Sequence, residues 1–219
     1  MGSGTELAEA REQLVRYASR LVADGLAVGA AGNLSVRVGD VIAITPSGIS
    51  YSELAAADIC VVTLDGGEVE AAETPSSELP MHLAVYAGTS ARAIVHTHSA
   101  EVVALSASAT ELPAVHYAIT GLGGPVRVAG YVRFGSAGLA DAAVAALAGR
   151  QAAILQNHGA ICYGATLPGA YDRAVLLEWL ASVYRLARCY GDPRILSQAE
   201  LDEVSAEARR RRYGERRSR

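Results

Sequence analysis

The chain contains no lysine: all 19 basic residues are arginine, set against 23 acidic ones for a net charge of −4. Without a lysine amine there is no Schiff base, a common covalent way to stabilise a carbanion beside a carbonyl. Carbonyl chemistry on this chain would need a metal as its electron sink. The acidic balance argues against a general nucleic-acid binder. The basic cluster Arg209 to Arg212, with Arg216, Arg217 and Arg219, is terminal rather than a stripe across the domain. Such cations suit a solvated helix end.

Cysteine is scarce too. Cys60, Cys162 and Cys189 are odd in number and lack metal-ligand spacing, so they read as buried thiols in a reducing compartment. No apolar run approaches the ~20 residues a membrane span needs, and no signal peptide opens the chain. Gly2 has Glu6 where a myristoylation motif wants Ser or Thr. These absences predict a cytoplasmic protein without a membrane partner.

What is present suits one large α/β domain over residues 1–219, since 51% of the chain is hydrophobic. The spacing predicts a helix from about Glu6 to Asp24, with an apolar stripe of Leu7, Leu14, Tyr17, Ala18, Leu21 and Val22, ended by Gly25. Strands follow at Asn33 to Val38, Val41 to Thr45 and Ile59 to Leu64, the last turning through Asp65-Gly66-Gly67 as a hairpin. A helix is expected from near Ser77, a strand over Ile94 to Thr97, and a short helix capped by Ser99. Further strands are predicted at Val126 to Tyr131, Ala152 to Gln156 and Ala160 to Tyr163, with a helix over Leu139 to Leu147. Gly169 to Tyr190 reads as a helix apolar almost all round, hence deeply buried or packed against another subunit. A last amphipathic helix runs from about Gln198 to Arg211. The fold class is a mostly antiparallel sheet with helices on its faces; the arginine-rich tail from about residue 209 is expected to be mobile.

His96 and His98 carry the strongest chemical signal. Residues two apart on a strand point to one side, so Ile94-Val95-His96-Thr97-His98 aims two imidazoles at one place. Convergent imidazoles begin a site for zinc or a similar metal. A third, His158, sits in Gln156-Asn157-His158-Gly159 between two apolar strands. Glu78 follows Ser76-Ser77 at a helix start. Gly29-Ala30-Ala31-Gly32-Asn33-Leu34-Ser35 and Thr45-Pro46-Ser47-Gly48 are small-residue loops that let a ligand approach the backbone. His82 and His116 read as structural.

These motifs, in order from Gly-Asn-Leu-Ser through Val115-His116-Tyr117 to Tyr213-Gly214, make the chain resemble the class II aldolase/adducin family over nearly its whole length. The resemblance implies a three-layer α/β fold in which His96, His98 and His158 hold the metal, zinc first, with manganese, cobalt or iron also suited. It implies that Glu78 is the acid/base, able to lie on the metal at rest. Asn33, Ser47, Gly48, Ser76 and Ser77 match the phosphate pocket. Tyr117 and Tyr213 match tyrosines that reach a neighbour's active site in a homotetramer. The implied reaction is retro-aldol cleavage of a ketose 1-phosphate, of the L-fuculose 1-phosphate kind, to dihydroxyacetone phosphate and a small aldehyde such as lactaldehyde. The metal would stabilise the enediolate left by C3–C4 cleavage. The alternatives within the family are 5-deoxyribulose 1-phosphate as substrate, or an epimerase, decarboxylase or dehydratase reaction on a sugar phosphate. An adducin-head-like binding module is the alternative without catalysis, and the complete histidine set with Glu78 weighs against it.

Overall fold

The computed structural model describes residues 2–211, with side chains from Gly4 onward; Tyr213 and the end of the arginine-rich tail lie outside these residues. Nine strands form one open sheet: β1 Asn33–Val38, β2 Val41–Ile44, β3 Cys60–Thr63, β4 Glu68–Glu70, β5 Ala93–Thr97, β6 Glu111–Leu112, β7 Val126–Ala129, β8 Ala152–Leu155 and β9 Gly159–Gly164. Their spatial order is β4-β3-β2-β1-β5-β9-β8-β7-β6. Neighbours pair antiparallel except β7 and β8, which run parallel. Six α-helices are α1 Gly2–Ala23, α2 Leu79–Gly88, α3 Ala100–Ser106, α4 Ala137–Ala146, α5 Leu167–Tyr190 and α6 Gln198–Arg210.

Alternation along the strands builds two cores. Ala93, Val95, Ala152, Ile154, Ala160 and Cys162 pack toward α1 and α5. Their neighbours Ile94, Ala153, Leu155 and Ile161 pack with residues of α2 and α4. Central strand β5 is therefore buried at all five positions, the pattern of a strand covered on both faces.

Several expectations need correction. Ser99 stands at the N-cap of α3 without a side-chain cap; the Glu178 carboxylate of α5 instead accepts from the amides of Glu101 (2.9 Å) and Val102 (3.0 Å). A carboxylate there suits the positive end of the helix dipole. Helix α5 is not apolar all round. Leu167, Ala170, Tyr171, Ala174, Leu177, Leu180 and Ala181 face the core, while Val175, Trp179, Leu186 and Tyr190 are exposed. Val22 is exposed rather than part of the α1 stripe, and Cys189 is an exposed thiol, unlike buried Cys60 and Cys162. The two-residue strand β6 and the 3₁₀ turns Ala56–Asp58 and Tyr117–Leu122 were not foreseen. No described helix is long and apolar enough to cross a membrane.

Candidate active site

The site forms at one end of the sheet, where β1 begins, β5 ends and the β8–β9 turn lies between its strands. Register places Asn33 opposite His96, and Ile161 opposite His96 on the other side. Two glycines let these strands close on β5. A Cβ at Gly159 would lie 2.0 Å from the Thr97 carbonyl oxygen, and one at Gly32 2.6 Å from that of His96. The β8–β9 turn puts Asn157 in the left-handed region at φ 54°, which Asn tolerates better than most residues. His158 follows it into the site.

His96, His98 and His158 stand edge to edge, with ring centroids 4.7, 4.9 and 4.9 Å apart. Glu78, at the N-cap of α2, joins them: its Oε2 lies 2.8 Å from His96 Nε2, and its Oε1 3.2 Å from His158 Nε2. His96 Nδ1 faces the carbonyl of Ala160 at 2.8 Å. A carbonyl only accepts, so Nδ1 carries the proton and Nε2 is left bare in the neutral ring. That bare nitrogen faces His98 Nε2 at 2.9 Å as well as the carboxylate.

The donor set therefore fits a divalent cation. One ligand atom from each of the four residues lies within 4.8 Å of the others, and Glu78 Oε1 is buried without an aligned hydrogen-bond partner. Lone pairs converging in this way, with the outer nitrogen of His96 fixed by a carbonyl, are the signature of metal-holding imidazoles. Burial alone would raise the Glu78 carboxyl, but the charge of His96 and His158 in their protonated forms holds it well below the usual carboxylate range. Burial, reinforced by His96 and His158, pushes His98 down to about 3, keeping a ligand-competent neutral ring.

Above the cluster lies an open cleft of about 340 Å³, within the usual range of small-ligand sites. Asn33, Ser47, Gly48, Ser76, Ser77, Glu78, His98 and His158 all line it, with His96 buried beneath. The chain Thr45–Ser47 runs against Thr74–Ser76: Ser47 N donates to Thr74 O (2.9 Å) and Ser76 N to Thr45 O (3.3 Å). The Ser47 hydroxyl accepts from Ser77 N (3.0 Å) and donates to Pro75 O (3.2 Å). Ser76 Oγ accepts from Glu78 N and Ser76 O from Leu79 N. The amides leading into α2, from Ser77 to Leu79, are thus engaged within the protein. The helix expected from near Ser77 begins at Leu79; hydroxyls and the Gly48 loop are what face the cleft.

Not every expected residue comes together. Tyr117 is 54% exposed and is not among the cleft-lining residues; its ring stacks on His116 at 4.4 Å. His116 caps its own turn, Nδ1 accepting from Ala118 N, as a structural residue would. Tyr131, Val132 and Phe134, which sequence reasoning passed over, form part of the cleft wall. Their segment is held by Gln156 Oε1, which accepts from Tyr131 N at 3.0 Å. The only phenylalanine of the chain, in a short glycine-bounded segment after a strand, was the available signal.

The fold agrees with the comparisons. Residues 12–185 match the family described as class II aldolase and adducin N-terminal domain, and the chain belongs to that family. It is 37% identical over 202 residues to a 5-deoxy-D-ribulose 1-phosphate aldolase of Bacillus thuringiensis, covering 91% of this chain and 95% of the relative. It is 39% identical over 184 residues to the L-fuculose phosphate aldolase of Escherichia coli K12, covering 82% and 85%. A solved L-fuculose 1-phosphate aldolase superposes with a TM-score of 0.88 at 36% identity, covering 92% of this chain and 96% of that one.

Proposed function

We propose that the protein is a metal-dependent aldolase that cleaves a ketose 1-phosphate of the L-fuculose 1-phosphate type to dihydroxyacetone phosphate and a small aldehyde such as lactaldehyde. The observation that carries this reading is the cluster of three imidazoles and one carboxylate at the base of a cleft walled by hydroxyl and glycine loops. His96, His98 and His158 would hold the cation, zinc in our reading, with cobalt, manganese or iron suited to the same donors. Bound there, it supplies a Lewis acid for negative charge developing beside a carbonyl.

The chain's own residues supply the rest. Cleavage of C3–C4 needs the C4 hydroxyl proton to leave as C4 becomes the aldehyde, and a proton to reach C3. Glu78, ionised at rest beside the cluster, takes up the proton released from the C4 hydroxyl and delivers it to C3; in the synthetic direction it removes that C3 proton. Ser47, Gly48, Ser76, Ser77 and Asn33 grip the phosphate, an arrangement that needs no lysine. Tyr117, brought by a neighbouring subunit, shuttles the C4 hydroxyl proton, and Tyr213 closes the same pocket. On this reading the enzyme is a cytoplasmic homotetramer.

A second substrate has a specific observation in its favour: the Bacillus relative is named for 5-deoxy-D-ribulose 1-phosphate, whose tail is also methyl-ended. A retro-aldol assay over ketose 1-phosphates, reading dihydroxyacetone phosphate release, separates the two by kcat/KM. The proposal expects the highest value on L-fuculose 1-phosphate and loss of activity with chelator. A preference for 5-deoxyribulose 1-phosphate selects the second reading; no release from any ketose phosphate by metal-loaded protein overturns both.

A further inference from the structure

A polar seam runs between β1 and α2 through an otherwise apolar interface. Asn33 and Ser35 share one face of β1, two residues apart. Glu78, His82 and Tyr86 recur at four-residue steps along α2. All five are buried, beside Ile42, Ile44, Met81 and Val85. The contacts run in one line: Tyr86 Oη to Ser35 Oγ at 2.8 Å, Ser35 Oγ to His82 Nδ1 at 2.7 Å, His82 Nε2 to Asn33 Oδ1 at 2.6 Å, and Asn33 Nδ2 to Glu78 Oε2 at 3.0 Å.

Donor and acceptor chemistry gives this line a direction. An ionised Glu78 only accepts, so Asn33 must turn its N–H toward it and leave Oδ1 for His82. His82 then carries its proton on Nε2 and presents a bare Nδ1. Ser35 must spend its single hydroxyl proton on that nitrogen, so Tyr86 donates to Ser35. Every donor points toward Glu78. Without the His82 N–H, the Asn33 amide is held at its nitrogen end alone and gains a buried, unpaired oxygen.

We infer that His82 is a positioning residue: as the Nε2–H tautomer it fixes the Asn33 amide so that this amide, rather than serving only the phosphate, orients the Glu78 carboxylate toward the three histidines. The inference rests on the proposed reading of Glu78 and of the cluster. Its function is separate from packing, because an apolar side chain would fill the same space without a buried polar chain to satisfy.

A double-mutant cycle between His82→Leu and Asn33→Ala tests it, read by divalent-metal affinity in chelator competition and by kcat and KM. His82→Leu should weaken metal affinity or kcat by about 10–100-fold, the usual effect of losing a partner behind a metal-site ligand, with KM little changed. His82→Gln, whose amide still donates, should recover most of the loss. Asn33→Ala should cost as much as the double variant, since His82 acts through Asn33. Additive losses, or a His82→Gln as impaired as His82→Leu, would overturn the inference. Should His82→Leu fail to fold, nitrogen-15 spectra of the histidine-labelled parent decide: a protonated Nδ1 on His82 is incompatible with the relay. A parent that binds metal and shows the coupled losses in affinity, yet cleaves no ketose phosphate, sinks the proposed function and leaves the relay standing.

Discussion

Glu78 sits where three demands meet. It stands at the N-cap position of α2, faces two imidazoles and accepts from Asn33. Glu78→Gln preserves the shape of that group while removing its charge. It should retain metal and phosphate binding yet slow C3 proton exchange on dihydroxyacetone phosphate by about 10²–10⁴-fold, the range for general acid/base catalysis; tritium or deuterium washout measures it, and full exchange would move the role elsewhere. His82 gives a second, pH-dependent consequence. Burial pushes its imidazole down to about 3, whereas a histidine in an unfolded chain titrates near ~6.5. Below that upper value the unfolded chain takes a proton that the folded chain refuses. The stability contributed by the neutral ring is therefore complete above pH ~6.5 and is lost as the pH falls, by about 1.4 kcal/mol per unit. His82→Gln removes the titration. In chelator-treated protein, urea unfolding between about pH 5 and 6 should show a shallower slope for the variant by that amount, and equal slopes would refute a neutral buried His82.

At the scale of elements, the strands with clean alternation were legible: Asn33–Val38 came out as predicted, and β2, β3, β5, β8 and β9 differ by one or two residues at their ends. The pairing of His96 with His98 followed from the two-residue period alone. Less legible was whatever depends on a partner distant in sequence. Glu178 caps α3 from 76 residues away, so Ser99 looked like the cap. His82 reads as an ordinary core residue until β1 is laid beside α2. The engaged Ser77 amide just ahead of α2 depends on Ser47, 30 residues upstream. Gly159 joins the two scales, because its missing side chain lets β9 meet Thr97. Gly159→Ala should force the turn carrying His158 outward, costing about 1–3 kcal/mol or more as an overpacked core does. It should also weaken metal binding, measured by thermal unfolding with and without added metal. Unchanged stability would mean that the turn gives way freely.

For the whole molecule, the outer side of α5 is the open question that the fold poses. Trp179 is 45% exposed and Tyr190 94%, and Trp179 meets the His116 ring edge-on at 5.0 Å, next to Tyr117. A cyclic assembly repeating one heterologous interface would cover such a surface and deliver Tyr117 to the neighbour's cleft. Mixing His96→Ala subunits with Tyr117→Phe subunits should then regenerate some sites with both residues intact. Activity above the sum of the two parents is the expected result; a mixture no better than that sum, or a monomer in sedimentation at micromolar concentration, would sink the shared site.

The sheet itself remains open, and its two margins differ in how they meet solvent. Strand β6 is only two residues long, too short to template a further strand. Strand β4 exposes Glu68, Val69 and Glu70, and Arg11 of α1 ties Glu70 in place at 2.6 Å. Unpaired backbone at a sheet margin invites another chain, and like charges there repel it. The exposed charge of Glu68, at the far end of the sheet from β6, therefore disfavours edge-to-edge pairing of two copies. That guard on the margin stands apart from the histidine cluster and does not depend on the reaction performed there.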